Sequence, residues 1–281
     1  MLFRSGGISF IKMHGLGNDF VVIDGRDGDV SLDAAQARAI ADRHTGIGCD
    51  QLIVIEAANG TGADAFMRIR NADGGEVAAC GNATRCVARL LMDEMESNSV
   101  RIDTSSGPLL AENALDGAIS VDMGVPGLTW DQIPLAAEAD TLHLDLALGP
   151  LSDPVAVSIG NPHAVFFPDD PDAVELDRLG PELEHHAMFP ERANIGIAQV
   201  TGQDSLRLRV WERGAGITQA CGTGACAATV AASRRGLTGR LVRVTLDGGQ
   251  LAVEWRDDDH VIMAGLAAVS FTGTIPAPMP T

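Results

Sequence analysis

Two of the five cysteines in this 281-residue chain stand in the same short context. Cys221 leads Cys-Gly-Thr-Gly-Ala-Cys into an alanine-rich run, and Cys80 leads Cys-Gly-Asn-Ala-Thr-Arg-Cys. Each reads as a thiol at a helix start, where unsatisfied backbone N–H groups and the helix dipole attract anions and lower the pKa of a neighbouring thiol. Two such thiols meeting one small molecule have the equipment to take a proton from one face of a carbon and return one to the other. The thiolate is the base, the opposing thiol the acid, and the roles swap in the reverse direction. Backbone N–H groups around Gly81, Asn82, Gly222 and Thr223 would hold a carboxylate and stabilise the charge that develops on deprotonation.

Other uses of the cysteines fit less well. A zinc site usually shows close Cys-x-x-Cys pairs, whereas Cys80/Cys86 and Cys221/Cys226 are spaced along expected helices, their second members reading as core residues; no metal is expected. A disulfide between Cys80 and Cys221 reads as an oxidised dead end, and Cys49 as a buried thiol. A Cys/His nucleophile with His163 as base explains one thiol and leaves its duplicate unused. His14, His44, His185 and His186 read as surface or capping residues. Lys12 is the single lysine, which disfavours a pyridoxal Schiff base, and no cofactor is expected.

The elements that must position these thiols follow from periodicity. Residues 10–20 join two apolar stretches through a glycine-rich turn, continuing as a strand to Ile23. Ser31 is the expected N-cap of a helix over 32–44. Strands are expected at 51–56 and 65–70, a turn at 71–75, and a helix from Cys80 to about Met95. Short strands follow near 100–104, 109–112 and 119–123. Residues 124–154, with four prolines, read as a crossing between domains. Strands are then expected at 155–159, 164–167, 195–200 and 206–211, with a helix over 172–188 broken or restarted at Gly180-Pro181. The second thiol helix and strands at 241–246, 251–255 and 261–264 complete the pattern, and residues 275–281 are expected to be frayed.

Set side by side, the two halves repeat. Gly17-Asn18 matches Gly160-Asn161 and Gln51 matches Asn194 at an offset of 143, while Asn71 matches Glu212 and Cys80-Gly81 matches Cys221-Gly222 at 141. The expected fold is α+β: two pseudo-symmetric domains, each a mixed sheet wrapped around a central helix, with the site in the cleft between them. The expected domains are residues 1–125, with 266–281 returning to them, and 126–265.

Composition narrows the partners. A net charge of −18 and a pI near 4.6 leave no basic footprint for nucleic acid or an anionic membrane. No apolar run approaches a membrane span, and residues 1–7 lack the apolar core of a secretory signal. An odd cysteine count fits a reduced cytoplasm better than a disulfide scaffold.

Several motifs together resemble a known family across nearly the whole chain. They are Met13-His14-Gly15-Leu16-Gly17-Asn18-Asp19-Phe20, Gly48-Cys49-Asp50-Gln51-Leu52, Asn71-Ala72-Asp73-Gly74, Ala79-Cys80-Gly81-Asn82, Gly160-Asn161-Pro162-His163, Glu212-Arg213-Gly214 and Ala220-Cys221-Gly222-Thr223-Gly224-Ala225-Cys226. The chain is similar to the cofactor-independent two-thiol amino-acid epimerases, and within them to the diaminopimelate epimerase family.

The resemblance implies conversion of LL-diaminopimelate to the meso isomer, in lysine synthesis and supply of a peptidoglycan precursor, by a homodimer whose C-terminal strand returns to the first domain. It implies Cys80 and Cys221 as the acid–base pair, with His163 and Glu212 tuning the thiols. Asn18, Gln51, Asn71, Asn161, Asn194, Glu212 and Arg213 would line the rest of the substrate. Amide oxygens and Glu212 suit its ammonium groups; amide N–H groups and Arg213 suit its carboxylates. Ile217, where many members carry an acidic residue, and Arg70, where an apolar one is common, are departures. A proline or hydroxyproline racemase shares the thiol pair but leaves the paired amides idle, and a phenazine-type isomerase lacks both cysteines. A non-catalytic thiol sensor or metal-binding module needs neither the matched amides nor both helix starts.

Overall fold

A computed structural model describes residues 7–28, 30–58, 60, 62–77 and 80–276. Ala79 of the first thiol motif, residues 1–6 and the terminal residues 277–281 lie outside them. The chain divides into two compact units, the first running to Val121 and resuming at Gly265, the second spanning Asp122–Ala264.

In the first unit, β1 (Ile8–Gly15) and β2 (Asn18–Asp24) form a hairpin. Its two turn residues, Leu16 and Gly17, both have positive φ (57° and 83°), the backbone twist that two-residue hairpins favour and that glycine tolerates best. Helix α1 (Ala34–Ala41) carries the chain over to β3 (Gln51–Glu56), parallel to β2. Antiparallel β4 (Ala65–Asn71) follows, then short β5 (Glu76–Val77) and helix α2 (Gly81–Met95). Strand β6 (Ser99–Thr104) is parallel to β4, and β7 (Gly107–Asn113) and β8 (Ile119–Asp122) extend the meander. Alternating burial along β4 and β6, apolar residues inward, is what their sequence periodicity demands.

The second unit begins with the two-residue strands β9 (Ala147–Leu148) and β10 (Leu151–Ser152), then repeats the first unit's plan. Strands β11 (Val155–Ser158) and β12 (Pro162–Phe166) make the hairpin, and α3 (Leu176–Glu184) crosses to β13 (Asn194–Gly202), parallel to β12. Strand β14 (Ser205–Glu212), short β15 (Gly216–Ile217) and helix α4 (Gly222–Arg234) follow. Strands β16 (Leu241–Leu246), β17 (Gly249–Trp255) and β18 (Val261–Gly265) close the meander. Pairing registers repeat too: Phe20 opposes Gln51 as His163 opposes Asn194, and Arg70 opposes Glu76 as Trp211 opposes Ile217. The fold class is α+β. The last strand, β19 (Ala268–Ile275), pairs antiparallel with β1.

A helix surrounded by strands must be apolar, or internally satisfied, all round. Helix α4 touches β11 to β14, β16 and β17, and its run of Ala225, Ala227, Ala228, Ala231 and Ala232 is fully buried; small side chains let the strands approach. The first two turns of α2 are buried as well.

Four expectations are corrected. Helix α1 is capped by Asp33, not Ser31: the Asp33 carboxylate accepts from Gln36 N–H (2.8 Å) while the Gln36 side chain accepts from Asp33 N–H (3.0 Å), a reciprocal box that Ser31 has no partner to build. The same helix ends at Ala41, short of His44, because the Asp42 carboxylate accepts from His44 and Thr45 N–H and folds the chain into a turn. Helix α3 runs unbroken through Gly180-Pro181 but is shorter than 172–188. Leu176, Leu179 and Leu183 are buried, about 1.5–3 kcal/mol each, against about 3 kcal/mol for an interior proline. Gly180 is required there, since a Cβ would lie 2.4 Å from the Trp211 ring. Finally, residues 124–154 are no bare crossing. Ile133, Leu135, Leu144, Leu146 and Leu151 join the second unit's core.

Candidate functional site

In the first unit Asn18 and Asn82 meet at the start of α2. Cys80 is its N-cap, extended (φ −150°) and half-buried, with no side-chain hydrogen bond to the helix. Its Sγ lies 4.0 Å from Asn18 Oδ1, which also accepts from Asn82 Nδ2 at 3.1 Å. Asn18 sits at the head of β2 and donates through Nδ2 to Asp50 (2.9 Å). Gln51, at the head of β3, donates to Asn71 Oδ1 (3.0 Å), at the end of β4. The Gln51 Oε1 is buried without a protein partner. Adjacent strand ends thus deliver Asn18, Gln51 and Asn71, with the thiol beside Asn18. Arg70 donates to Gly74 O and Glu76, tying down the Asn-Ala-Asp-Gly turn.

In the second unit the matched positions collect at the start of α4. Cys221 is the N-cap and accepts from Gly224 N–H at 3.4 Å, with the Thr223 hydroxyl 3.7 Å away. Asn161, in the β11–β12 turn, donates to Thr223 Oγ1 (3.5 Å) and accepts from His163 Nε2 (2.9 Å). Asn194, heading β13, donates to Pro162 O and accepts from the Arg213 N–H (2.9 Å). Arg213 itself reaches the Glu191 carbonyl (2.9 Å), and Glu212 accepts from the Thr218 hydroxyl.

Electrostatics separate the buried groups. Burial first, then the Glu212 carboxylate, hold the Cys221 thiol well above its ordinary pKa, against the opposing pull of Thr223 and Gly224. Burial, with Arg213 adding to it, depresses His163 to about 3; the imidazole is neutral at working pH. Its Nδ1 is buried without a protein partner. Burial pushes Cys49 up to about 11 and Cys86 up to about 12, inert core thiols as their positions suggested. None of the five cysteines, all among the described residues, is in a disulfide. His44, His185 and His186 are exposed, but His14 is half-buried on β1 with its Nδ1 lacking a protein partner, a correction to its reading as a surface residue. Lys12 is buried against the Asp19 carboxylate (2.5 Å) and the Gly48 carbonyl.

Sequence reasoning missed three supports. Asp50, quoted only as part of a motif, clamps Asn18 and the Asp19 N–H (3.0 Å). Arg85 is fully buried and donates to Asn82 Oδ1 (3.0 Å). Glu184 is buried beneath the Glu212-Arg213-Gly214 turn, accepting from Trp211 Nε1 (2.7 Å) and Gly214 N–H (3.1 Å). A signal existed for it. Glu184 continues the helical stripe Leu176, Leu179, Gly180, Leu183, and a carboxylate on a buried stripe needs partners.

The chain is similar to known proteins along most of its length. The profile of the family described as diaminopimelate epimerase matches residues 10–129 and 155–269. The diaminopimelate epimerase of Rhodospirillum centenum is 57% identical over 95% of this chain and 91% of its own. That of Acidiphilium cryptum is 56% identical over 96% and 97%. Among solved structures, a Bacillus anthracis phenazine biosynthesis protein of the PhzF family superposes with a TM-score of 0.71 at 15% identity, covering 96% of this chain and 99% of that one. A hydroxyproline epimerase from Agrobacterium vitis gives 0.70 at 16%, covering 97% and 93%. At such identities the structural likeness speaks for the fold alone.

Proposed function

The chain belongs to the diaminopimelate epimerase family, and from that premise we propose that it interconverts LL- and meso-2,6-diaminopimelate without a cofactor, using Cys80 and Cys221 as a base–acid pair. One sulfur, as thiolate, takes the Cα proton; the C–H bond breaks, an S–H bond forms, and the electron pair moves toward the substrate carboxylate. The other thiol delivers its proton to the opposite face of Cα, leaving a thiolate, so the reverse reaction exchanges the two roles. Backbone N–H groups at Gly81, Asn82, Gly222 and Thr223 stabilise the charge on the carboxylate as it grows.

What supports this reading most is the matched placement of a thiol as N-cap of the buried helix in each unit. Cys221 is held as a thiol by burial and by Glu212. A substrate ammonium seated on Glu212 neutralises that charge and eases loss of the proton. Asn18, Gln51, Asn71, Asn161, Asn194 and Arg213 hold the ends of a long substrate. The bare Gln51 Oε1 suits an ammonium, and the neutral His163 orients Asn161 toward Thr223. The protein works as a cytoplasmic homodimer on a small molecule, in lysine and peptidoglycan-precursor synthesis, with neither nucleic acid nor membrane as partner. Among the described residues no helix is long and apolar enough to cross a membrane.

The test is solvent isotope uptake. In deuterated water, LL-diaminopimelate gains deuterium at Cα and proline does not. Cys80→Ala and Cys221→Ala each lower meso formation by about 10³-fold or more. Label in proline, or turnover surviving either substitution, overturns the reading.

A further inference from the structure

The hydrogen bonds leading to Cys80 run in one direction, and charged residues at both ends set that direction. At one end the Arg85 guanidinium, a group with donors only, meets an Asn82 side-chain atom at 3.0 Å; that atom is therefore the amide oxygen. The Asn82 NH2 group must then face Asn18, and the Asn18 atom it meets at 3.1 Å is an oxygen. At the other end Asp50, whose carboxylate can only accept, meets the remaining Asn18 atom at 2.9 Å, which is thus the NH2. Two independent arguments, one from each end, give the same orientation for both amides. Asp50 is itself held by Arg43 (2.7 Å) and by the Asp19 N–H (3.0 Å), and Asp19 in turn by Arg43 (2.7 Å) and Lys12.

Room for the Arg85 end is built in. A Cβ on Gly15 of β1 would sit 2.9 Å from an Arg85 guanidinium nitrogen. Burying an arginine completely is costly unless the charge is used, and Arg85 is fully buried in α2.

We infer that Arg85 is a positioning residue: acting with Asp50 through Asn82 and Asn18, it presents Cys80 with a hydrogen-bond acceptor, Asn18 Oδ1 at 4.0 Å, and so keeps Cys80 as a thiol in the ligand-free protein. The inference rests on Cys80 being a reacting thiol, and it adds the state in which that thiol waits for substrate. An amide turned the other way would offer N–H to the sulfur and favour the thiolate.

The experiment reads Cys80 directly and needs no turnover. The rate of carbamidomethylation by iodoacetamide is followed against pH, and the label is located on the Cys80 peptide by mass spectrometry. Arg85→Lys, still donors only, keeps the wild-type midpoint. Arg85→Gln, which can present either end of its amide, lets Asn82 and Asn18 reverse and moves the midpoint down by about one pH unit, the scale of one hydrogen bond to a charged sulfur. Asp50→Asn, at an exposed position that tolerates change, moves it in the same direction and serves if Arg85→Gln does not fold. Midpoints unchanged in folded Arg85→Gln or Asp50→Asn, or a Lys variant that shifts as far as Gln, overturn the inference. Loss of epimerisation in Cys80→Ala tests the underlying reading separately.

Discussion

The two thiols occupy matched positions in different surroundings. Cys80 is half-buried beside an amide oxygen, while Cys221 is 3% exposed, accepts from Gly224 N–H, lies 3.7 Å from the Thr223 hydroxyl and has the Glu212 carboxylate as a charged, hydrogen-bonding neighbour. Backbone and register repeat between the units, while side chains diverge, those around the sulfurs included. Asn82 is matched by Thr223, Asn71 by Glu212 and Phe20 by His163. A repeated scaffold therefore retains a thiol as N-cap of two helices, and point differences make their surroundings unequal. In the proposed two-base reaction each sulfur would hold or release its proton at a different stage.

Removing the charge beside Cys221 is the strongest way to break the contrast. Glu212→Gln lowers the alkylation midpoint of Cys221, since a neighbouring carboxylate that raises it is gone. It also cuts kcat/KM for diaminopimelate by about 10²-fold, the scale of losing one partner of a buried charge pair. An unmoved Cys221 midpoint would show that Glu212 does not govern that sulfur.

A smaller effect comes from His163, whose partner in register is Phe20. The folded-state value of about 3 lies below the ordinary 6.5. Keeping the ring neutral thus contributes stability that is complete above pH 6.5 and is lost as pH falls from there toward 3. His163→Phe, copying the first unit, flattens this: the fall in Tm between pH 7 and pH 4 is smaller than in the wild type. An equal fall in both proteins refutes the assignment.

The smallest effect concerns the caps. Cysteine is a poor N-cap, and α2 has no side-chain cap at all. Cys80→Ser adds about 0.5 kcal/mol, or about 1–2 °C in Tm, while epimerisation is lost. Cys221→Ser gains less, because Cys221 already accepts from Gly224 N–H. Calorimetry on both variants ranks them, and a loss of stability in Cys80→Ser counts against the capping argument.

Legibility in the sequence followed locality. Strand β3 was readable because Gln51–Glu56 is an apolar run buried on both faces, and both thiol helices because glycine and small residues after cysteine mark a start. Strand β19 was not readable from its pattern: its residues are mostly exposed, so no alternation marks it, and only pairing with β1 defines it. Asp33 displaced Ser31 through a reciprocal bond to Gln36, and Pro181 stayed in a helix because three leucines around it are buried. Arg85 and Asp50 were invisible as supports, since a charged residue shows its use only once its partner is known.

The amino-acid sequence by itself determined that there are two thiols, that each opens a helix, and that the polar landmarks around them recur in the same order. Those properties depend on neighbours within a turn or a strand. Only the tertiary structure decided which hydrogen-bonding atom each sulfur meets. Asn18 reaches Cys80, and Asn161 reaches Thr223, across 62 residues of chain, and burial, which sets the protonation of Cys221 and His163, is a property of the whole unit packed around them.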